Sequence, residues 1–206
     1  MRRLLLPFLL AGTAALLAVP AAGAASAPVV FDGGTQAEQA QVRSALAASS
    51  FDWSVLPKAI DVHIGAYPGS YATPGNVYLD ASLLDAGPVA WGVVMHEFGH
   101  QVDFLLLTDA ERAQLQTALG AKDWCYETPG LQHSDHGCER FASEVSWAYW
   151  PSPNNILRPT ASDGESNGMP VDQFRALLAQ MLGISVRTPA AVPARARLHK
   201  ANKANR

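Results

Sequence analysis

The sequence predicts an α+β fold: a small N-terminal sheet, one central helix and a C-terminal helical subdomain. Three observations carry this expectation. Between Lys58 and Leu84 the residues are of β type, in the runs AIDVHIGAY and GNVYLDASL separated by the turn-rich PGSYATPG. From Val89 to Leu106 the run VAWGVVMHEFGHQVDFLL is apolar on most sides and holds no breaker stronger than glycine, so it reads as a buried helix. After it come further segments with helical spacing and helix-start or helix-stop residues.

In chain order, Arg2 and Arg3 precede an apolar run from Leu4 to Val19 and the small-residue stretch PAAGAASA. This is the anatomy of a secretory signal peptide, expected over residues 1–24 with cleavage after Ala24, or alternatively Ala27; an uncleaved anchor is the competing reading. PVVFDGG from Pro28 suggests a short strand and turn. Thr35 and Glu38 form a capping box opening a helix to about Ala48. His63 falls within the first β-type run, where no second ligand-type residue is spaced with it, so it reads as a strand residue. Asp85, Gly87 and Pro88 mark the start of the central helix, and TDAE at Thr108–Glu111 caps another that ends near Gly120. A loop runs from Ala121 to Gly137. CERFASEVSWAYW then places Phe141, Val145 and Ala148 at helical spacing until Pro151, and VDQFRALLAQML follows Pro170 and closes at Gly183.

One domain is expected over residues 25–186, with a flexible basic tail at 187–206 that carries six Lys or Arg and no acid. The domain itself holds seven basic residues against all 18 acidic ones, a net −11. So acidic a body argues against nucleic-acid binding, which needs clustered cations. The tail reads either as a solvated terminus or as a weak contact with an anionic cell envelope. No second segment is apolar enough to span a membrane, a monomer is expected, and export makes a Cys125–Cys138 disulfide the default.

The chemistry concentrates in HEFGH, residues 96–100. On a helix, residues four apart share a face, so His96 and His100 can aim both imidazoles at one metal ion, with Glu97 beside them as a general base. A buried helix is a poor place for two His and a Glu unless something compensates them. A catalytic zinc takes three protein ligands and leaves a position open for water. Asp103 and Leu106 stand where a metzincin pattern would have Gly and His, which excludes that branch. Candidates for the third ligand are Glu139, Glu144, His133, Asp135 and His136. Asp103, three residues after His100, either orients an imidazole or is an ordinary buried, hydrogen-bonded Asp. Gly99 inside the helix suggests a second backbone packed close by, the following Glu139 helix being the natural neighbour.

HEFGH followed by ERFAS, 39 residues after His100, resembles the gluzincin clan of zinc proteases, particularly its lethal-factor-like branch, mainly over residues 76–150. The resemblance implies a zincin-like fold in which NVYLD is the edge strand that receives an extended substrate. It implies one zinc ion held by His96, His100 and Glu139, with Glu97 activating a zinc-bound water in a secreted metalloendopeptidase acting on protein or peptide substrates. It leaves Glu144 as a solvated carboxylate or a partner of Arg140. Relatives also carry a Tyr or His that stabilises the oxyanion; His133, His136, Tyr126 and Tyr149 are the candidates here, and His136 is preferred. Three other readings compete: a closed structural zinc site of His96, His100, Cys125 and Cys138; an inactive, envelope-binding module of the same fold; and a zinc amidase acting on cell-wall peptides.

Overall fold

The computed structural model describes residues 28–160 and 164–184. The expected signal peptide (1–24) and basic tail (187–206) lie outside the described residues. Among those described, no helix is long and apolar enough to cross a membrane.

The architecture is mixed helix and sheet. Strand β1 (Val29–Gly33) leads into α1 (Gln36–Ala48), β2 (Ile60–Gly65), β3 (Tyr71–Thr73) and β4 (Asn76–Asp80). A single turn of helix, α2 (Ala81–Leu84), is followed by α3 (Trp91–Leu106), α4 (Asp109–Ala118), α5 (Gly137–Tyr149) and α6 (Val171–Leu182). The sheet order is β1-β2-β4-β3, with β1, β2 and β4 parallel and β3 antiparallel to β4. Alternation along β2 and β4 turns Ile60, Val62, Ile64, Val77 and Leu79 into the core, while the opposite face carries a row in register: Asp32, His63, Tyr78 and Tyr71. His63 is a strand residue, as expected. Its Nδ1 lies 2.9 Å from Asp32 Oδ2, and its ring stacks on Tyr78.

Four local expectations are revised. The stretch read as one turn, PGSYATPG, contains β3, a strand too short to register as a periodic pattern. β4, which holds NVYLD, lies inside the sheet between β2 and β3, so β3 rather than NVYLD is the edge beside the later helices. ASL belongs to α2, because Asp80 caps the Ser82 amide and ends the strand there. The central α-helix begins at Trp91, after a 3₁₀ turn over Gly87–Ala90. Both capping boxes, Thr35 with Glu38 and Thr108 with Glu111, are present.

The core lies between the inner face of the sheet, α1, α3 and α5, and is filled by Phe51, Trp53, Phe98 and Phe141, all fully buried. Each such side chain contributes about 2–3 kcal/mol by leaving water. Helix α3 packs against α1, the β3–β4 hairpin and, most extensively, α5. Gln101 joins α3 to that hairpin: its Oε1 accepts from the Gly75 amide at 2.7 Å, and its Nε2 donates to the carbonyls of Thr73 and Asn76. Gly99 permits the contact with α5, since a Cβ there would stand 2.9 Å from Ala142 Cα and 3.2 Å from its carbonyl oxygen.

Gly99→Ala should therefore destabilise the chain although alanine is the better helix former by about 1 kcal/mol. Overpacking of about 1–3 kcal/mol is expected, a loss of several degrees in Tm, together with weaker metal binding as the two helices part. Thermal unfolding and metal titration of the variant measure both.

Candidate metal centre

His96 and His100 project from α3 one turn apart, and Glu139 projects from the first turn of α5 across the Gly99–Ala142 contact. The three are buried, and one ligand atom from each lies within 4.8 Å of the others. Their spacing is tighter than that limit: His96 Nε2 to His100 Nε2 is 3.1 Å, and Glu139 Oε2 is 3.1 Å from the first and 3.2 Å from the second. Two imidazole nitrogens that face each other at this distance have room for one proton between them, while a cation satisfies both. A tetrahedral ion with bonds of about 2.0 Å separates its ligand atoms by about 3.3 Å. The donor set and its spacing fit a metal, and this buried His-His-Glu group could hold one ion.

The second nitrogens differ. Ser143 Oγ donates to Glu165 Oε2 at 3.0 Å and lies 3.1 Å from His96 Nδ1, so it accepts from that nitrogen and leaves Nε2 free to coordinate. Among the described residues, His100 Nδ1 is buried without a hydrogen-bond partner. Asp103 does not serve it: its carboxylate takes Arg112 Nε at 2.7 Å and Trp124 Nε1 at 3.3 Å, the bland of its two readings.

Burial alone would raise the Glu139 carboxyl, but the surrounding histidines His100, His133 and His96 outweigh it and hold the group well below the usual carboxylate range. Glu97, 4% exposed, stays outside the ligand triangle and lines the same cleft. Burial pushes its carboxyl up, against the opposing effect of His96 and His100. A raised carboxyl beside a metal group is suited to taking and returning a proton.

The cleft has a volume of about 380 Å³ and is bounded by Ser70, Tyr71 and Ala72 of the edge strand region on one side and by Cys125, Tyr126 and His133 of the 121–137 loop on the other. The loop is folded back on itself: Lys122 donates to the Asp135 carbonyl, and the amides of Gly137 and Cys138 donate to the carbonyls of Asp123 and Trp124. The Cys125–Cys138 disulfide, with Cα atoms 5.3 Å apart, closes it immediately before Glu139. A loop of this length is worth about 3 kcal/mol in the chain-entropy account. Since each sulfur is bonded to the other, neither is available to complete a four-ligand metal site. Tyr126 has φ 62°, a left-handed conformation costly for a bulky residue, and its hydroxyl donates to Glu139 Oε1 at 2.9 Å.

The remaining candidates separate cleanly. His133 faces the cleft, with Nε2 3.2 Å from Glu139 Oε2 and Nδ1 2.6 Å from Glu165 Oε1; these two carboxylates push its pKa up to about 10. His136, the residue preferred for the oxyanion, lies away from the cleft. It is 2% exposed, does not line the cleft, and places Nδ1 2.5 Å from Asp123 Oδ1 behind the loop. Asp135 pairs with Lys122, and Tyr149 packs against Phe51 in the core. Glu144 points away from the metal group, but it is not solvated: it is fully buried, and its Oε1 accepts from the amides of Gly168 and Met169. Arg140 does not pair with it and donates instead to the carbonyls of Ser134 and Leu119. Ser143 and Glu165 had no signature in the sequence beyond being a serine and an acid in polar segments.

Comparison with protein-family models, with curated protein sequences and with solved structures gives no match.

Removing the Glu139 carboxylate by Glu139→Ala should abolish stoichiometric metal binding, whereas Glu144→Gln should retain it; inductively coupled plasma analysis of the dialysed proteins decides. Glu144 also sets a pH dependence. Burial raises it from its ordinary 4.5 to about 7, so the folded chain holds the proton more tightly than the unfolded one. Its contribution to stability is full below pH 4.5 and is lost as pH rises through about 7, amounting to ~1–3 kcal/mol. Glu144→Gln should flatten the fall in Tm between pH 5 and pH 8.

Proposed function

We propose that this chain is a secreted zinc metalloendopeptidase of gluzincin type, with His96, His100 and Glu139 as the zinc ligands and Glu97 as the general base. The observation that carries the proposal is the placement of Glu97: a buried carboxylate in the same cleft as a three-residue donor set, yet outside it. A purely structural metal site has no use for such a group, and the disulfide removes the two sulfurs that would have closed one.

Bound zinc supplies Lewis acidity, which polarises a carbonyl and makes water a nucleophile near neutral pH. Glu97 accepts the proton from the attacking water and returns it to the leaving amine, a shuttle for which a raised carboxyl pKa is the right adjustment. His133 and Tyr126 stand on the loop side of the cleft, where an N–H and an O–H can meet the oxygen of the carbonyl under attack. Across from them, β3 is the edge strand of the sheet, and a sheet edge suits an extended peptide better than a compact one. Export is supported by the disulfide and the N-terminal sequence.

Glu97→Gln should keep one zinc per chain and lower the rate of hydrolysis of an unfolded protein by at least about 10²-fold. A variant that cleaves as fast as the parent removes the catalytic assignment. Cleavage of cell-wall peptides in place of the protein, with the same dependence on Glu97, would keep the chemistry and change the substrate to that of an amidase.

A further inference from the structure

Two histidines of the cleft, on different elements, are tied to a single carboxylate that reaches in from a third. Glu165 opens a 3₁₀ turn at Glu165–Asn167, far along the chain from HEFGH. One of its oxygens, Oε1, lies 2.6 Å from His133 Nδ1, and the other accepts from Ser143 Oγ at 3.0 Å, with Ser143 in turn 3.1 Å from His96 Nδ1. Both rings therefore present Nε2 toward Glu139 Oε2, at 3.1 Å for His96 and 3.2 Å for His133.

We propose that Glu165 is a positioning residue for this centre: one oxygen fixes the ring of His133 at the cleft mouth, and the other, relayed by Ser143, fixes the ring and tautomer of His96. The proposal rests on the peptidase reading for the His133 arm, while the His96 arm needs only that the centre bind a metal.

An imidazole held by one nitrogen keeps its freedom to rotate and to exchange tautomers; a second bond at the opposite nitrogen removes both. Ser143 spends its one proton on Glu165, so toward His96 it can only accept, and Nδ1 of His96 must carry the hydrogen. The other nitrogen is then a ligand rather than a donor. At His133 the charged acceptor makes the bond short and directional.

The carboxylate can do this because its backbone is clamped. The amides of Gly168 and Met169, just after the turn, both donate to Glu144 Oε1, and Ser166 Oγ donates to the carbonyl of Leu157. Glu144 and Ser143 are adjacent on α5, the helix that also carries Glu139. In ERFASE, Glu139 meets the metal group, Ser143 relays to its ligand, and Glu144 anchors the segment from which Glu165 reaches back. This gives buried Glu144 a use that the coordination chemistry alone does not.

A surface ion pair between Glu165 and half-exposed His133 would give the same distances with no effect on the reaction. The two are separated with the full chain and the variants Glu165→Ala, Glu165→Gln, Ser143→Ala and His133→Ala, and the double variants Ser143→Ala/Glu165→Ala and His133→Ala/Glu165→Ala. Zinc titration of the apoproteins reads the His96 arm: Ser143→Ala and Glu165→Ala should each weaken binding by about 10-fold, and no further when combined. Steady-state hydrolysis reads the His133 arm: Glu165→Ala should lower kcat by about 10–100-fold with KM within about 2-fold, yet cost less than about 3-fold once His133 is alanine.

Unchanged kcat and zinc affinity in Glu165→Ala overturn the proposal, as do losses that multiply fully in the two double variants. If Glu165→Ala does not fold, Glu165→Gln, which keeps the volume but can accept from only one of its two partners, must still show the loss on one arm; parental values for both sink the idea. If the parent hydrolyses nothing, it is the peptidase reading and the His133 arm that fail, and zinc affinity still decides the His96 arm.

Discussion

The crossing of α3 and α5 at Gly99 and Ala142 sets the distance on which the centre depends. Two imidazoles one turn apart on α3 are brought close to each other by helical geometry alone, but the third donor arrives on a separate helix, and its oxygen reaches both nitrogens at 3.1–3.2 Å only because no Cβ stands between the backbones. Packing of Phe98 and Phe141 into the common core holds the crossing in place. The metal group is thus a product of core packing as much as of polar residues.

Four buried carboxyls near that crossing have the same chemistry in water and different states in the fold. Glu139 is held far down by three histidines, Asp103 is raised by burial against the pull of Arg112, Glu97 is raised by burial against two histidines, and Glu144 rises to about 7 by burial against two amides and the charge of Arg140. Environment separates them: the carboxyl most stabilised as an anion belongs to the candidate donor set, and Glu97, raised by burial, lines the cleft beside it, which suits the proton transfer proposed for it.

The walls of the cleft are built by different means. On the sheet side Gln101, next to His100, ties the β3–β4 turn to the helix that carries both histidines through three hydrogen bonds. On the loop side a disulfide, a short parallel bridge between Asp123 and His136 and the left-handed Tyr126 hold a segment that has little apolar surface of its own to bury. The strain at Tyr126 is compensated by its bond to Glu139.

Much of this was legible from residue order. Helix α1 and α4 announce themselves by capping boxes, α3 by an apolar run, and the pair His96 and His100 by a spacing that only a helix makes meaningful, because these are signals local to a turn or two of chain. Glu139 and the disulfide were reachable as well, the first by resemblance and the second by counting cysteines. Strand β3 was not, being three residues long and stabilised wholly by its partner β4 and by Gln101. Neither was the choice of His133 over His136, three residues apart in one loop: which of them faces the cleft follows from the bond of His136 to Asp123 and from the carboxylate of Glu165, 32 residues from His133. Such pairings are long-range, and a linear pattern holds no trace of them until the helices have packed and brought their carboxylates to the same place.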